Sequence, residues 1–363
     1  MIEILKRKLL TPIIQGGMGV GVSLGNLAGN VALNGGMGVI STVNAGYREE
    51  DFDKKPFEAN IRALKNEIKK ALEISKGKGI IATNVMVAVN HYEETIQEAI
   101  KAGIHAIISG AGLPMDLPKL TKGTGVAAAP IVSSVKAASV ICKSWDRKYE
   151  VAPDFIIIEG PKAGGHLGFK KEEILDGTAK STDEILGEVL EVIKPFEEKY
   201  MRKIPVFIAG GIFDGKDMAR VIKKGASGVQ MATRFIATEE CDASEGYKKM
   251  IVDAKAEDVT IVKSPVGMPG RALNSPLIQR LAQGIKLKPE RCNLCLKACP
   301  HGELTPYCIS RALIEAVKGN VEDGLFFCGE NVGRVNEIKT VEALMNEVME
   351  EFRAEGGYIE CEE

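Results

Sequence analysis

The chain lacks the features that would send it out of the cell, into a membrane or onto nucleic acid. No apolar run approaches the roughly 20 residues needed to span a bilayer. The opening Met1-Ile-Glu-Ile-Leu-Lys-Arg-Lys8 has no apolar core followed by small cleavage-site residues. A cytoplasmic location is therefore expected. Neither sign of charge is in excess: 47 Lys and Arg against 49 Asp and Glu leave a net charge of −2. That balance predicts no bulk attraction to nucleic acid or to an anionic membrane. No GxGxxG fingerprint for a dinucleotide occurs. Histidine is scarce, with four in 363 residues, so each can be weighed by its position.

What is present is a rhythm. Over the first ~235 residues, short β-rich apolar runs alternate with longer amphipathic segments, the pattern of βα units and a parallel sheet. Eight strands are predicted, at Thr11–Ile14, Gly38–Ser41, Ile80–Val85, Ala106–Ser109, Gly125–Val132, Asp154–Ile158, Pro205–Ala209 and Gly228–Ala232. Phe155-Ile156-Ile157-Ile158 is continuously apolar, as expected of a strand covered on both faces. Gly103 and Gly225 each stand between a helical segment and a strand, where glycine takes the left-handed conformation cheaply. The special residues all fall just beyond the C-terminal ends of different strands. A closed barrel gathers eight such ends around one mouth, whereas an open sheet gathers mainly those at its switch point. The fold class expected is an α/β (β/α)₈ TIM barrel over residues 1–236.

After residue ~236 the rhythm stops. Ser264-Pro-Val-Gly-Met-Pro-Gly-Arg271 reads as a rigid loop, and Leu277–Gly284 as a short helix. A helix is expected at Ile309–Lys318, closed by Gly319. Another opens at Thr340 with Val341, Leu344, Met345, Val348 and Phe352 on one face. Residues 237–363 are thus expected to form a small, mostly helical region packed on the barrel.

Three constellations carry chemistry. The first is Ala209-Gly210-Gly211-Ile212 after the seventh strand, with Gln230-Met231-Ala232-Thr233 ending the eighth. Barrels commonly hold a cofactor phosphate on these two loops, where bare backbone presents N–H donors. The second is Glu159-Gly-Pro-Lys-Ala-Gly-Gly-His166 after the sixth strand. Glycine lets backbone approach a flat ring closely, and a histidine beyond it can move a proton near neutral pH. His91, His105 and His301 fall at a helix start, a strand start and a cysteine-rich loop, and are expected to be non-catalytic. The third pairs Gly17 and Met18, after the first strand, with Asn84, whose amide can both donate to and accept from a flavin edge.

Together these motifs resemble the nitronate monooxygenase family, formerly 2-nitropropane dioxygenases, which includes the flavin enoyl-ACP reductases of the FabK type. The resemblance runs from Pro12-Ile-Ile-Gln-Gly-Gly-Met18 through Ala163-Gly-Gly-His166, Ala209-Gly-Gly-Ile212 and Ala232-Thr-Arg-Phe235. It continues to Ser264–Ala272 and Gly329-Glu-Asn-Val-Gly-Arg334. It implies FMN as cofactor, contacted by Asn84, Glu159 and Gly164. Gly211, Gln230, Met231, Ala232 and Thr233 would cradle the phosphate, and His166 would be the catalytic residue. It also implies an oxidoreductase that oxidises alkyl nitronates with O₂, or alternatively an NAD(P)H-dependent enoyl-thioester reductase. A non-catalytic flavin- or metal-binding sensor is the third reading. Lys162 departs from the family pattern, which usually has glutamate there; it could attract an anionic substrate or simply be solvated. The partner expected is a small molecule, a nitronate or an enoyl thioester, and the assembly, where there is one, a homodimer.

Of eight cysteines, Cys292, Cys295, Cys299 and Cys308 share one short stretch, while Cys142, Cys241, Cys328 and Cys361 are scattered. In a cytosolic chain such a cluster points to metal or redox chemistry rather than a disulfide framework. Its spacing resembles the iron–sulfur ligation of some other flavin barrel reductases, although the final gap is shorter here. Thiolates suit a [4Fe–4S] cluster or a zinc ion, and unliganded thiols are the alternative.

Overall fold

The computed structural model describes residues 2–265, 267–287, 292–297, 299 and 305–358. A hairpin of β1 (Ile2–Ile4) and β2 (Arg7–Leu9) precedes the barrel strands. These are β3 (Ile13–Gln15), β4 (Met37–Ser41), β5 (Ile80–Met86), β6 (Ala106–Gly110), β7 (Ala127–Val132) and β8 (Ile156–Glu159), followed by β10 (Val206–Ala209) and β11 (Gly228–Met231). All eight pair in parallel, and β11 returns to β3 to close the barrel. This is the (β/α)₈ TIM barrel, with each strand within a few residues of its expected place.

The closure explains the continuous apolar runs. In a barrel wrapped by helices, both strand faces are dry, so alternate residues face two different cores. Phe155 and Ile157 point inward with Ile14, Met37, Val39 and Phe207, whereas Ile156 and Ile158 join the layer beneath the helices. Phe155 and Phe207 meet edge to face at 5.8 Å inside the barrel. Ile4 and Leu9 belong to the same inner cluster, so the N-terminal hairpin stoppers the end of the barrel opposite the mouth.

The later region differs from its expected form at one place that matters. Ser264–Arg271 is not simply a rigid loop. It carries the turn between β12 (Val259–Lys263) and β13 (Pro269–Leu273), which pair antiparallel. Pro269 is tolerated because it is the first residue of its strand. The other edge of β13 pairs with β9 (Gly165–His166), a two-residue strand in the loop after β8. The helices follow expectation more closely, at Pro276–Ala282, Ile309–Lys318 and Val341–Ala354. Thr340 caps the last of these, its hydroxyl accepting from the Ala343 N–H at 3.1 Å. Val341, Leu344, Met345, Val348 and Phe352 are buried, and the helix packs against the barrel helices Gly25–Leu33 and Gly215–Ile222. Among the described residues, no helix is long and apolar enough to cross a membrane.

Candidate active site

One cavity of about 440 Å³ opens at the C-terminal ends of the barrel strands. Gly17, Met18, Asn84, Glu159, Gly164, His166, Gly210, Gly211 and Gln230 through Thr233 all line it. Residues singled out from five separate stretches of sequence therefore meet in one place.

The wall formed by β10 and β11 is a cradle of bare backbone. Gly210 and Gly211 both hold φ near +88°, a left-handed conformation that side-chain-bearing residues adopt at a cost. A Cβ on Gly210 would stand 2.9 Å from the Ala163 nitrogen, so the loop after β8 rests directly on this turn. The segment 329–331 closes the cradle from outside. The Gly329 N–H donates to Thr233 Oγ1 at 2.9 Å, and Asn331 Nδ2 donates to the Gly211 carbonyl at 3.2 Å.

Asn84 lies near the end of β5, across the barrel from the cradle, and Glu159 ends β8 beside the cradle, paired with Ala209. Neither side chain has a hydrogen-bond partner among the described residues, although both face the cavity. Partly buried polar groups left without partners are the mark of a site that a polar ligand completes. Burial pushes the Glu159 carboxyl up to about 7. A carboxyl raised above its unfolded value near 4.5 withdraws stability as pH rises through its folded pKa. The proton that the folded carboxyl keeps and the unfolded chain has lost matters from pH ~4.5 to ~7, and since His166 acts there with the opposite sign, Glu159 is read from the difference between variant and parent. In flavin-stripped protein, Glu159→Gln should flatten the fall in Tm across that window relative to the parent chain. Parallel Tm–pH curves would mean that Glu159 does not titrate there.

His166 stands in β9, held by pairing with Gly270 of β13. Its Nε2 lies 2.9 Å from Ser264 Oγ, and its ring meets Phe327 edge-on at 5.3 Å between centroids. Burial lowers its pKa to about 4, so the ring is neutral at neutral pH. Arg271, 5% exposed, reaches from β13 into the loop before His166. Its Nη1 donates to the Pro161 carbonyl at 2.7 Å and the Ala163 carbonyl at 2.6 Å. Ser264 and Arg271 were visible in the sequence as part of a motif, but nothing local shows that they serve His166. Only the pairing of β9 with β13 reveals that.

Lys162 takes neither of its two expected roles outright. Its stem lies against Gly211, and its ammonium pairs with Glu330 at 2.9 Å with both side chains exposed. This sets it beside the cradle rather than beside His166. His91 Nδ1 lies 3.6 Å from a Glu94 carboxylate oxygen, and His105 Nδ1 accepts from the Ile81 N–H at 3.1 Å; neither lines the main cavity. His301 lies outside the described residues.

The cysteine segment docks at the rim of the same mouth. Leu296 bridges to Val89 in the loop after β5, and the Asn90 N–H donates to the Cys295 carbonyl at 3.1 Å. Cys308 caps the helix Ile309–Lys318. Among the described residues, no group of three or more His, Cys, Asp or Glu side chains stands close enough to hold a metal ion as placed.

Known proteins converge on this geometry. A family model described as nitronate monooxygenase matches residues 2–351. A probable nitronate monooxygenase of Staphylococcus aureus is 27% identical over 295 residues, covering 75% of this chain and 78% of that protein. A (3aS,4S,5R,7aS)-5-hydroxy-7a-methyl-1-oxo-octahydro-1H-indene-4-carboxyl-CoA dehydrogenase of Rhodococcus jostii is 27% identical over 278 residues. That match covers 74% of this chain but only 64% of the relative, less than two thirds of its length. Among solved structures, FabK from Thermotoga maritima superposes with a TM-score of 0.69 at 24% identity, covering 95% of this chain and 94% of its own; at that identity the likeness speaks for the fold. With almost its whole length matched by the family model, the chain belongs to the nitronate monooxygenase family of oxidoreductases.

Proposed function

We propose that the protein is an FMN-dependent oxidoreductase that oxidises small anionic nitronates with O₂. The observation that carries this reading is a half-buried, neutral His166 in the same cavity as the glycine cradle of Gly210 and Gly211. The residues present suit FMN: backbone donors at the cradle for one phosphate, and the unpartnered Asn84 and Glu159 for the polar parts of the cofactor. Bound flavin would supply the redox chemistry; the chain supplies binding, orientation and proton handling. Gly210, Gly211 and Thr233 would hold the phosphate end. Where the substrate arrives as the neutral nitroalkane, His166 takes its α-proton at a ring nitrogen to give the nitronate, and Ser264 fixes the ring's orientation through Nε2. Phe327 and Met268 line the cavity, and the Phe327 ring meets the imidazole edge-on.

The second reading, an NAD(P)H-dependent enoyl-thioester reductase, draws support from the Rhodococcus relative, whose name places its activity on a CoA thioester. Anaerobic mixing separates the two. Flavin reduction by propionate 3-nitronate without NAD(P)H supports the monooxygenase; rapid reduction by NAD(P)H alone supports the reductase. Reduction by neither leaves a flavin-binding sensor.

The cofactor itself is a prediction. Protein heated to release it should yield FMN on chromatography, at roughly one per chain in a fully loaded sample. FAD, or no flavin after reconstitution with excess FMN, would overturn the assignment, because the cradle suits one phosphate and no dinucleotide fingerprint exists.

A further inference from the structure

We propose that Lys162 is a cofactor-binding residue whose ammonium offsets the charge of the flavin phosphate at the glycine cradle, an assignment that rests on FMN being the cofactor. Backbone N–H groups offer a phosphate hydrogen bonds but no net charge. A phosphate monoester brings a charge of about −1.5 to −2 near pH 7. The mouth it enters already holds Glu330 beside the cradle and Glu159 at the end of β8. An anion there needs a cation.

Among the described residues that line the cavity, two are lysine or arginine, Lys162 and Arg234. Arg234 is committed elsewhere. Its Nη2 pairs with Glu347 at 2.8 Å, its Nη1 donates to the Phe213 carbonyl at 3.1 Å, and its guanidinium lies over the Phe213 ring. The charge for the phosphate then falls to Lys162.

The fold holds Lys162 over the cradle. Arg271 fixes the carbonyls of Pro161 and Ala163 on either side of it, and the Glu330 N–H donates to the Lys162 carbonyl at 3.2 Å. A Cβ on Gly211 would stand 3.0 Å from Lys162 Cδ and 3.2 Å from Lys162 Cβ. The lysine stem therefore crosses directly over the second glycine of the cradle. Its ammonium ends 2.9 Å from the Glu330 carboxylate. Glu330 is itself tied to the cradle, because its neighbours Gly329 and Asn331 donate to Thr233 Oγ1 and the Gly211 carbonyl.

An exposed ion pair of this kind adds little stability. What it does here is keep a compact, mobile charge next to the phosphate position. An ammonium has three donors, so it can keep Glu330 and still give an N–H to a phosphate oxygen. With the Lys162 side chain 60% exposed, the attraction is moderate and screened by salt.

Full-length, flavin-stripped protein titrated with FMN and with riboflavin, followed by flavin fluorescence, tests this. Riboflavin carries the same ring and ribityl chain without the phosphate. Lys162→Met should bind FMN about tenfold more weakly than the parent chain, and riboflavin within about twofold of it. Added salt should weaken FMN binding more steeply in the parent than in Lys162→Met. Lys162→Gln should behave in the same way, and riboflavin binding at an unchanged Tm reports an intact pocket in both variants. FMN binding as tight in both variants as in the parent, or equal losses for FMN and riboflavin, overturns the role of Lys162 while FMN stands as the cofactor. A parent chain that takes up neither flavin fails at the cofactor itself, and the role of Lys162 falls with it.

Discussion

Replacing His166 with alanine should lower turnover by about 100-fold or more while leaving the flavin in place. The separation of these effects follows from geometry. The cradle of Gly210, Gly211 and Thr233 is built on β10 and β11, whereas His166 is carried by β9, which pairs with β13 rather than with the cradle strands. Removing the imidazole takes away the proton acceptor but none of the cradle's donors. Because burial lowers the ring's pKa to about 4, it is an available base across the neutral range. Any acid limb from this group in the free protein should then fall well below the usual histidine value near 6.5. Stability is linked with the opposite sign to that of Glu159. Below pH 6.5 the unfolded chain protonates this histidine while the folded one does not, so stability falls with pH until about 4. His166→Gln should remove that increment. Steady-state turnover with flavin content measured on the same sample is the check. Near-normal turnover in flavin-loaded His166→Ala would reduce His166 to a structural residue.

Much of this site could be read from the chain because its signals are local. A strand buried on both faces announces itself as Phe155-Ile-Ile-Ile158, and a cradle as Gly210-Gly211 after such a strand. What escaped reading was non-local. β9 is two residues long and pairs with β13 about a hundred residues later, so no periodicity could mark it. The same holds for the hairpin: each of its strands has three residues, and its turn uses Leu5 and Lys6 at positive φ instead of glycine or asparagine. Ser264–Arg271 looked like a loop because proline and glycine punctuate it; its pairing was set by an edge supplied from the barrel loop. Lys162 could not be placed because its partner, Glu330, enters from the far end of the sequence. The cysteine cluster stood out by composition, while its docking against the loop after β5 emerges only in the fold.

That non-local pairing gives Arg271 an outsized role. The loop 160–165 must hold glycine backbone in the cavity and present His166 at a fixed angle, yet it has little regular structure of its own. Arg271 supplies the missing restraint from outside, one nitrogen bonding the carbonyls of Pro161 and Ala163 on either side of Lys162. Hydrogen bonds from a charged donor contribute about 1.5–3 kcal/mol each, and their loss leaves two carbonyls without a partner in a dry setting. Arg271→Met, which keeps much of the apolar stem, should therefore cost about 3–5 kcal/mol in stability. Turnover should fall at least about tenfold, because a displacement of roughly 1 Å at a reacting group is enough for losses of this size or larger. A merely structural arginine would lower Tm and leave kcat in the surviving folded fraction unchanged. A positioning arginine lowers kcat in flavin-loaded, folded protein assayed well below its Tm. Arg271→Lys should recover part of the stability but less of the turnover, since a shorter, point-like ammonium cannot bridge both carbonyls with the same geometry. Wild-type kcat in folded Arg271→Met would show that the loop keeps its catalytic shape without this clamp.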